Sequence, residues 1–95
     1  MNETFTRWDA AEHLRTTTDA QLYLEACAEE DPGDGSLIRA ALNDIARSGN
    51  MSRLARAAGM TREGLYKALS ENGNPSFATV IRVARALGLH VRITA

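Results

Sequence analysis

One cysteine, Cys27, stands in a chain of 95 residues. It cannot form an internal disulfide, which fits a reducing compartment. Long apolar runs are missing too: none approaches the roughly 20 residues of a membrane span. The segment from Met1 to Arg15 lacks the apolar stretch of a signal peptide, so a cytoplasmic protein without membrane attachment is expected. The two histidines, His13 and His90, are far apart and unaccompanied, and they make no case for metal binding or catalysis. No nucleophile stands with a base in a recognisable pair, and no glycine loop is built to cradle a phosphate. Catalytic, cofactor and metal residues are therefore expected to be none, and an enzyme is the weakest class. Internal repeats and low-complexity tracts are also lacking.

What is present suffices for a core. Apolar residues make up 44% of the chain and charged residues 24%, near globular averages and unlike a disordered chain. A single small domain over residues 1–95 is expected. Its core must be thin, so pairing of two copies would add stability. The net charge of -1 hides a segregation. Residues 1–50 carry four arginines against ten acids, whereas residues 51–95 carry seven basic residues against Glu63 and Glu71. The C-terminal half suits a polyanion and the acidic N-terminal half a basic partner.

Helix signals dominate. Asp9 with Glu12, and more convincingly Thr18 with Gln21, has capping-box spacing. From Asp19 to Glu30, Ala20, Tyr23, Leu24 and Cys27 fall on one stripe. The break Asp31-Pro32-Gly33-Asp34-Gly35 follows. Ser36 to Ser48 predicts a helix with Ile38, Ala41, Leu42 and Ile45 inward, ended by a left-handed Gly49. Two short helices come next, Ser52 to Ala58 and Thr61 to Ser70, around Gly59-Met60. Ser76 caps a last helix that buries Phe77, Val80, Ile81, Ala84 and Leu87 and ends at Gly88. Leu89, Val91 and Ile93 then alternate with His90, Arg92 and Thr94, a strand pattern. A lone strand needs a partner, either Phe5-Thr6-Arg7 or the same strand of a second copy. The expected fold is all-α with about five short helices and a C-terminal β-strand. Residues 1–50 form an acidic part, 51–88 a helix-turn-helix part and 89–95 the strand.

The informative stretch is Met51 to Gly88. Met51, Leu54, Ala55 and Ala58 give the first short helix an apolar face. Gly59 allows a left-handed turn, and Thr61 can cap the second helix. There Leu65, Ala68 and Leu69 point one way, while Glu63, Tyr66, Lys67 and Ser70 point the other, with Arg62 on the flank. A short helix, a glycine turn and a second helix with a polar outer face match the helix-turn-helix arrangement, whose second helix enters the major groove of double-stranded DNA. Arg62 would donate to guanine, and Lys67 to guanine or phosphate. Glu63 would accept from cytosine or orient Arg62. Tyr66 reaches a phosphate or a sugar, and Ser52 is a candidate phosphate anchor with Arg53 and Arg56 nearby. Gly64 suggests a close approach, to a neighbouring helix or to DNA.

The run from Met51 to Ser70 resembles the helix-turn-helix of phage-repressor (XRE-type) proteins, and Gly73 to Val80 with Ala84 to Leu89 is similar to the loop and helix that follow it there. Arg7-Trp8-Asp9-Ala10-Ala11-Glu12-His13-Leu14 and Tyr23-Leu24-Glu25-Ala26 narrow the resemblance to addiction-module antidotes, HigA-like antitoxins. That resemblance implies a cytoplasmic, dimeric repressor of its own operator and a small basic RelE/ParE-like toxin as partner. It maps the DNA contacts onto Ser52, Thr61, Arg62, Glu63, Tyr66 and Lys67. Positions 62 and 63 depart from the glutamines often found in phage-type repressors. A stand-alone repressor without a toxin and a helical protein-interaction module are the alternatives.

Other residues admit two readings each. Leu22 and Ala26, beside Glu25 and Glu29, are either a partner-binding face or packed core. Glu29-Glu30-Asp31 either attracts a basic partner or is a solvated helix end that opposes the macrodipole. Trp8 reads as an anchor for the N-terminal arm and Cys27 as a small buried hydrophobe.

Overall fold

The computed structural model describes residues 16–91, and these form five helices. They are α1 (Thr17–Glu30), α2 (Ser36–Arg47), α3 (Met51–Ala57), α4 (Arg62–Leu69) and α5 (Phe77–Ala86). Side-chain oxygens cap four of the starts: Thr16, Asn50, Thr61 and Ser76 each accept a backbone N–H three residues on. Such a bond satisfies one of the amides that the first helical turn leaves over. Thr61 and Ser76 are the expected caps. Thr16, not Thr18, starts α1, because its hydroxyl reaches the Asp19 amide at 3.0 Å. Asn50 caps α3, which begins at Met51, one residue ahead of expectation.

Helix α2 is the hub, and each of the other four helices packs on it. Leu42 on α2, Leu65 and Leu69 on α4 and Val83 on α5 have essentially no exposed surface, and Leu24, Ile45, Met51 and Leu54 close around them. Tyr23 and Cys27 of α1 pack against this core from its edge. The Tyr23 hydroxyl donates to Asp44 Oδ2 at 2.6 Å, which ties α1 to α2 through a buried carboxylate. Burial, and then that carboxylate, push the Tyr23 pKa up. Burial likewise raises the Cys27 thiol.

Three further expectations need correction. Gly49 is not left-handed; α2 is capped at its C-terminus by Ser48, whose hydroxyl donates to the Ile45 carbonyl at 2.6 Å. Phe77 is 67% exposed as the first residue of α5, and Val83 takes the inward place beside Ala84. No strand forms among the described residues. Gly88, at φ +78°, and Leu89 instead complete a helix-end motif, their amides returning to Arg85 and Ala84. Leu89 is thereby buried. The next backbone groups, on His90, are taken by one side chain: Gln21 accepts from the His90 N–H at 2.8 Å and donates to its carbonyl at 3.1 Å. A glutamine amide thus stands where a strand partner was expected. Trp8, His13, the Asp9–Glu12 cap and the possible strand partner Phe5-Thr6-Arg7 lie outside the described residues, as do positions 92–95.

Asp31 is more than a solvated helix end. Its Oδ2 accepts from the Gly33 and Gly35 amides at 2.8 and 2.9 Å, and its Oδ1 from Leu37 and Ile38 at 2.8 and 3.4 Å. It therefore caps α2 from outside the helix, where a negative charge is favoured by the macrodipole. Partial desolvation works against the charge, but the four N–H donors outweigh it and hold the carboxyl below the usual range. A lowered pKa gives stability that is present above the unfolded value, about 3.9, and lost as pH falls through the folded one. Asp31→Asn is expected to lower the thermal midpoint at pH 7. The gap should narrow as pH falls through the folded value of Asp31, because the protonated carboxyl is then as neutral as the asparagine amide. A gap that does not change with pH would contradict this role.

Candidate nucleic-acid interface

Helices α3 and α4 are joined by a turn of defined geometry. Gly59 is left-handed at φ +71°, and the Gly59 and Met60 amides return to Arg56 and Ala55 at 3.1 and 2.8 Å. These paired bonds close the end of α3 and aim the chain into α4. Met60 packs on the core at this corner. Thr61 then accepts from the Gly64 amide at 2.9 Å and opens α4. At the far end, Arg39 of α2 donates to the Leu69 carbonyl at 2.8 Å. A cation at a helix C-terminus is favoured twice, by the bond and by the dipole.

With both ends held and Leu65 and Leu69 inward, the helical period decides the rest. Thr61, Arg62, Glu63, Tyr66 and Lys67 are all exposed. Arg62 lies over the Tyr66 ring, 5.5 Å from its centroid, and its Nη2 donates to the Tyr66 hydroxyl at 3.4 Å. That hydroxyl is the main cause of a further rise in the Arg62 pKa. The cation–π contact is geometric as well as electrostatic, and Tyr66, not Glu63, orients Arg62.

Arg62 and Tyr66 line a shallow concavity with Arg47, Asn50 and Ser52. Sequence reasoning put Ser52 at the start of its helix. The structure makes Asn50 the cap and leaves Ser52 as the second helical residue, exposed at the same mouth. Arg53 and Arg56 are exposed on α3. Arg47, which sequence reasoning does not single out, is exposed in the last turn of α2 and lines the same concavity as Arg62. The signal in the sequence was its place next to Ser48-Gly49, where the chain turns toward α3. Gly64 serves the cap: a Cβ there would stand 2.9 Å from the Thr61 hydroxyl oxygen. The close approach is therefore to Thr61.

The fold and this face define a small helical protein whose α3 and α4 expose Arg53, Arg56, Arg62 and Lys67 against one acid, Glu63. Residues 4–95 match the family described as "Probable addiction module antidote protein". The chain belongs to this family of addiction-module antidotes, and a toxin as counterpart comes with that membership. A Haemophilus influenzae protein, described as "Uncharacterized protein", is 52% identical over 93 residues, which cover 98% of this chain and 94% of its own. No solved structure matches the chain significantly. No helix among the described residues is long and apolar enough to cross a membrane.

Alanine in place of a helical glycine normally gains about 1 kcal/mol, but at position 64 it would disturb a cap worth a similar amount, about 1 kcal/mol. Gly64→Ala is expected to leave stability within about 0.5 kcal/mol of wild type. In a Thr61→Ala background the same change should stabilise by about 1 kcal/mol. Chemical denaturation of the double-mutant cycle measures this coupling, and additive effects would contradict it.

Proposed function

We propose that this antidote binds operator DNA through α3 and α4, represses its own module, and neutralises a small basic toxin of the RelE/ParE-like kind. The observation that carries the DNA half is the outer face of α4. Arg62, Glu63, Tyr66 and Lys67 are free of the core while Leu65 and Leu69 are sealed in it. A helix of this width fits a major groove of about 12 Å, with its first residues at the base edges. Arg62, pre-set by Tyr66, reads guanine. Lys67 reads guanine or binds phosphate. Arg47, Ser52 and Arg53 flank the helix and meet the backbone, which fixes register without reading sequence. Two copies would set their α4 helices one DNA turn apart, about 34 Å, on a palindromic site. The toxin half is supported by family membership. The protein acts by binding, not by catalysis, and works in the cytoplasm.

Electrophoretic shifts with the module's own promoter test the reading. Arg62→Ala and Lys67→Ala are each expected to weaken the operator complex by about 10- to 100-fold. Arg47→Ala should weaken operator and unrelated duplex alike and reduce the salt slope by about 1. Unchanged operator binding in both Arg62→Ala and Lys67→Ala would remove α4 from recognition.

A further inference from the structure

A second concave surface lies between α1, α2 and α5. It is a groove of about 660 Å³. Its floor is core: Leu24, Leu42 and Ala84 are almost wholly buried, and Ile38 and Val80 are half-buried. Its walls are apolar but uncovered, since Phe77 is 67% and Val91 42% exposed. These are two of the five large apolar side chains that the described residues leave exposed, and both face one groove. The rim carries three carboxylates, Glu25, Asp34 and Glu71, against the single guanidinium of Arg39. That guanidinium already donates to the Leu69 carbonyl.

We propose that this groove is the toxin-binding surface, and that it takes an amphipathic segment with apolar anchors on one side and lysine or arginine flanking them. The inference rests on the antidote reading and names where its partner docks. Charge selects among the occupants. In a two-fold pairing a surface meets itself, and groove on groove would set carboxylates against carboxylates. Residues 1–15 of the chain carry three acids against two arginines, the wrong sign for this rim. The four residues beyond Val91 offer one large apolar side chain, Ile93, too little for the groove's volume. A basic partner satisfies both the floor and the rim, in the way amphipathic helices enter apolar grooves through spaced anchors. The groove shares no lining residue with the concavity at Arg47, Ser52 and Arg62. On this proposal toxin and operator meet different sets of residues among those described.

The test uses the full chain, its Phe77→Glu and Glu71→Lys variants, and the purified product of the reading frame adjoining its gene, in calorimetric titrations. Phe77→Glu is expected to weaken that complex at least about 10-fold. Glu71→Lys should weaken it less, by an amount that shrinks in roughly 0.5 M salt. Both variants should keep the free chain's thermal midpoint within about 2 °C and shift operator DNA as wild type does. Toxin affinity unchanged in both variants overturns the proposal. A midpoint lowered by about 5 °C or more in Phe77→Glu also overturns it, because the chain's own residues would then cover the groove. So does a dimer that sediments as monomer only in that variant, which would assign the groove to a second copy. No binding by the wild-type chain sinks the partner reading itself, and this inference with it, whereas groove variants that fail to matter leave that reading standing.

Discussion

Leu65 and Leu69 lie four residues apart on α4 and have no exposed surface, and their seating on α2 decides what the opposite side of that helix can do. Burying two leucines contributes several kcal/mol, about 1.5–3 for each, far more than any exposed polar contact on α4 returns. Rotation of the helix is therefore not free. Once the leucines are in, the period of 3.6 residues turns positions 62, 63, 66 and 67 outward. The Thr61 cap and the Arg39 bond to the Leu69 carbonyl fix the two ends. An eight-residue helix would be marginal alone; here it is a rigid mount.

The same packing separates two charges. The end of α2 with α3 and α4 presents arginines and a lysine, while α1, the 71–75 loop and the loop before α2 present carboxylates around an apolar floor. Only α2 among the helices contributes to both surfaces: Arg47 to one, and Ile38, Arg39 and Leu42 to the other. A ligand that shifts α2 would be felt at both, and any such coupling must be reciprocal. On the function proposed above, α2 is the one helix that touches both binding surfaces.

Much of this was legible in the residues. The inward positions of the first four helices follow from apolar spacing alone, and Thr61, Ser76, Gly59 and Gly88 mark ends because their chemistry admits few other uses. The exposed face of α4 followed from the same periodicity. What escaped reading depends on contacts distant in sequence. Alternation in Leu89-His90-Val91 looks like a strand, and only the position of Gln21, 69 residues away, shows how those backbone groups are satisfied. Asp44 is invisible as a buried acid until Tyr23 is brought against it. Asp31 caps α2 across a five-residue loop, beyond the three-residue reach of a capping box. Arg47 and Arg62 are fifteen positions apart and meet at one concavity only because α3 folds back between them.

The most direct measurement is a titration of the isotope-labelled chain with a short operator duplex, followed by backbone amide resonances. The account predicts that Arg62 to Lys67 and the amides near Arg47, Asn50 and Ser52 shift or broaden together, while those lining the groove at Ala28, Phe77 and Val80 stay close to their free positions. Perturbations centred on the groove, with α4 unmoved, would contradict it.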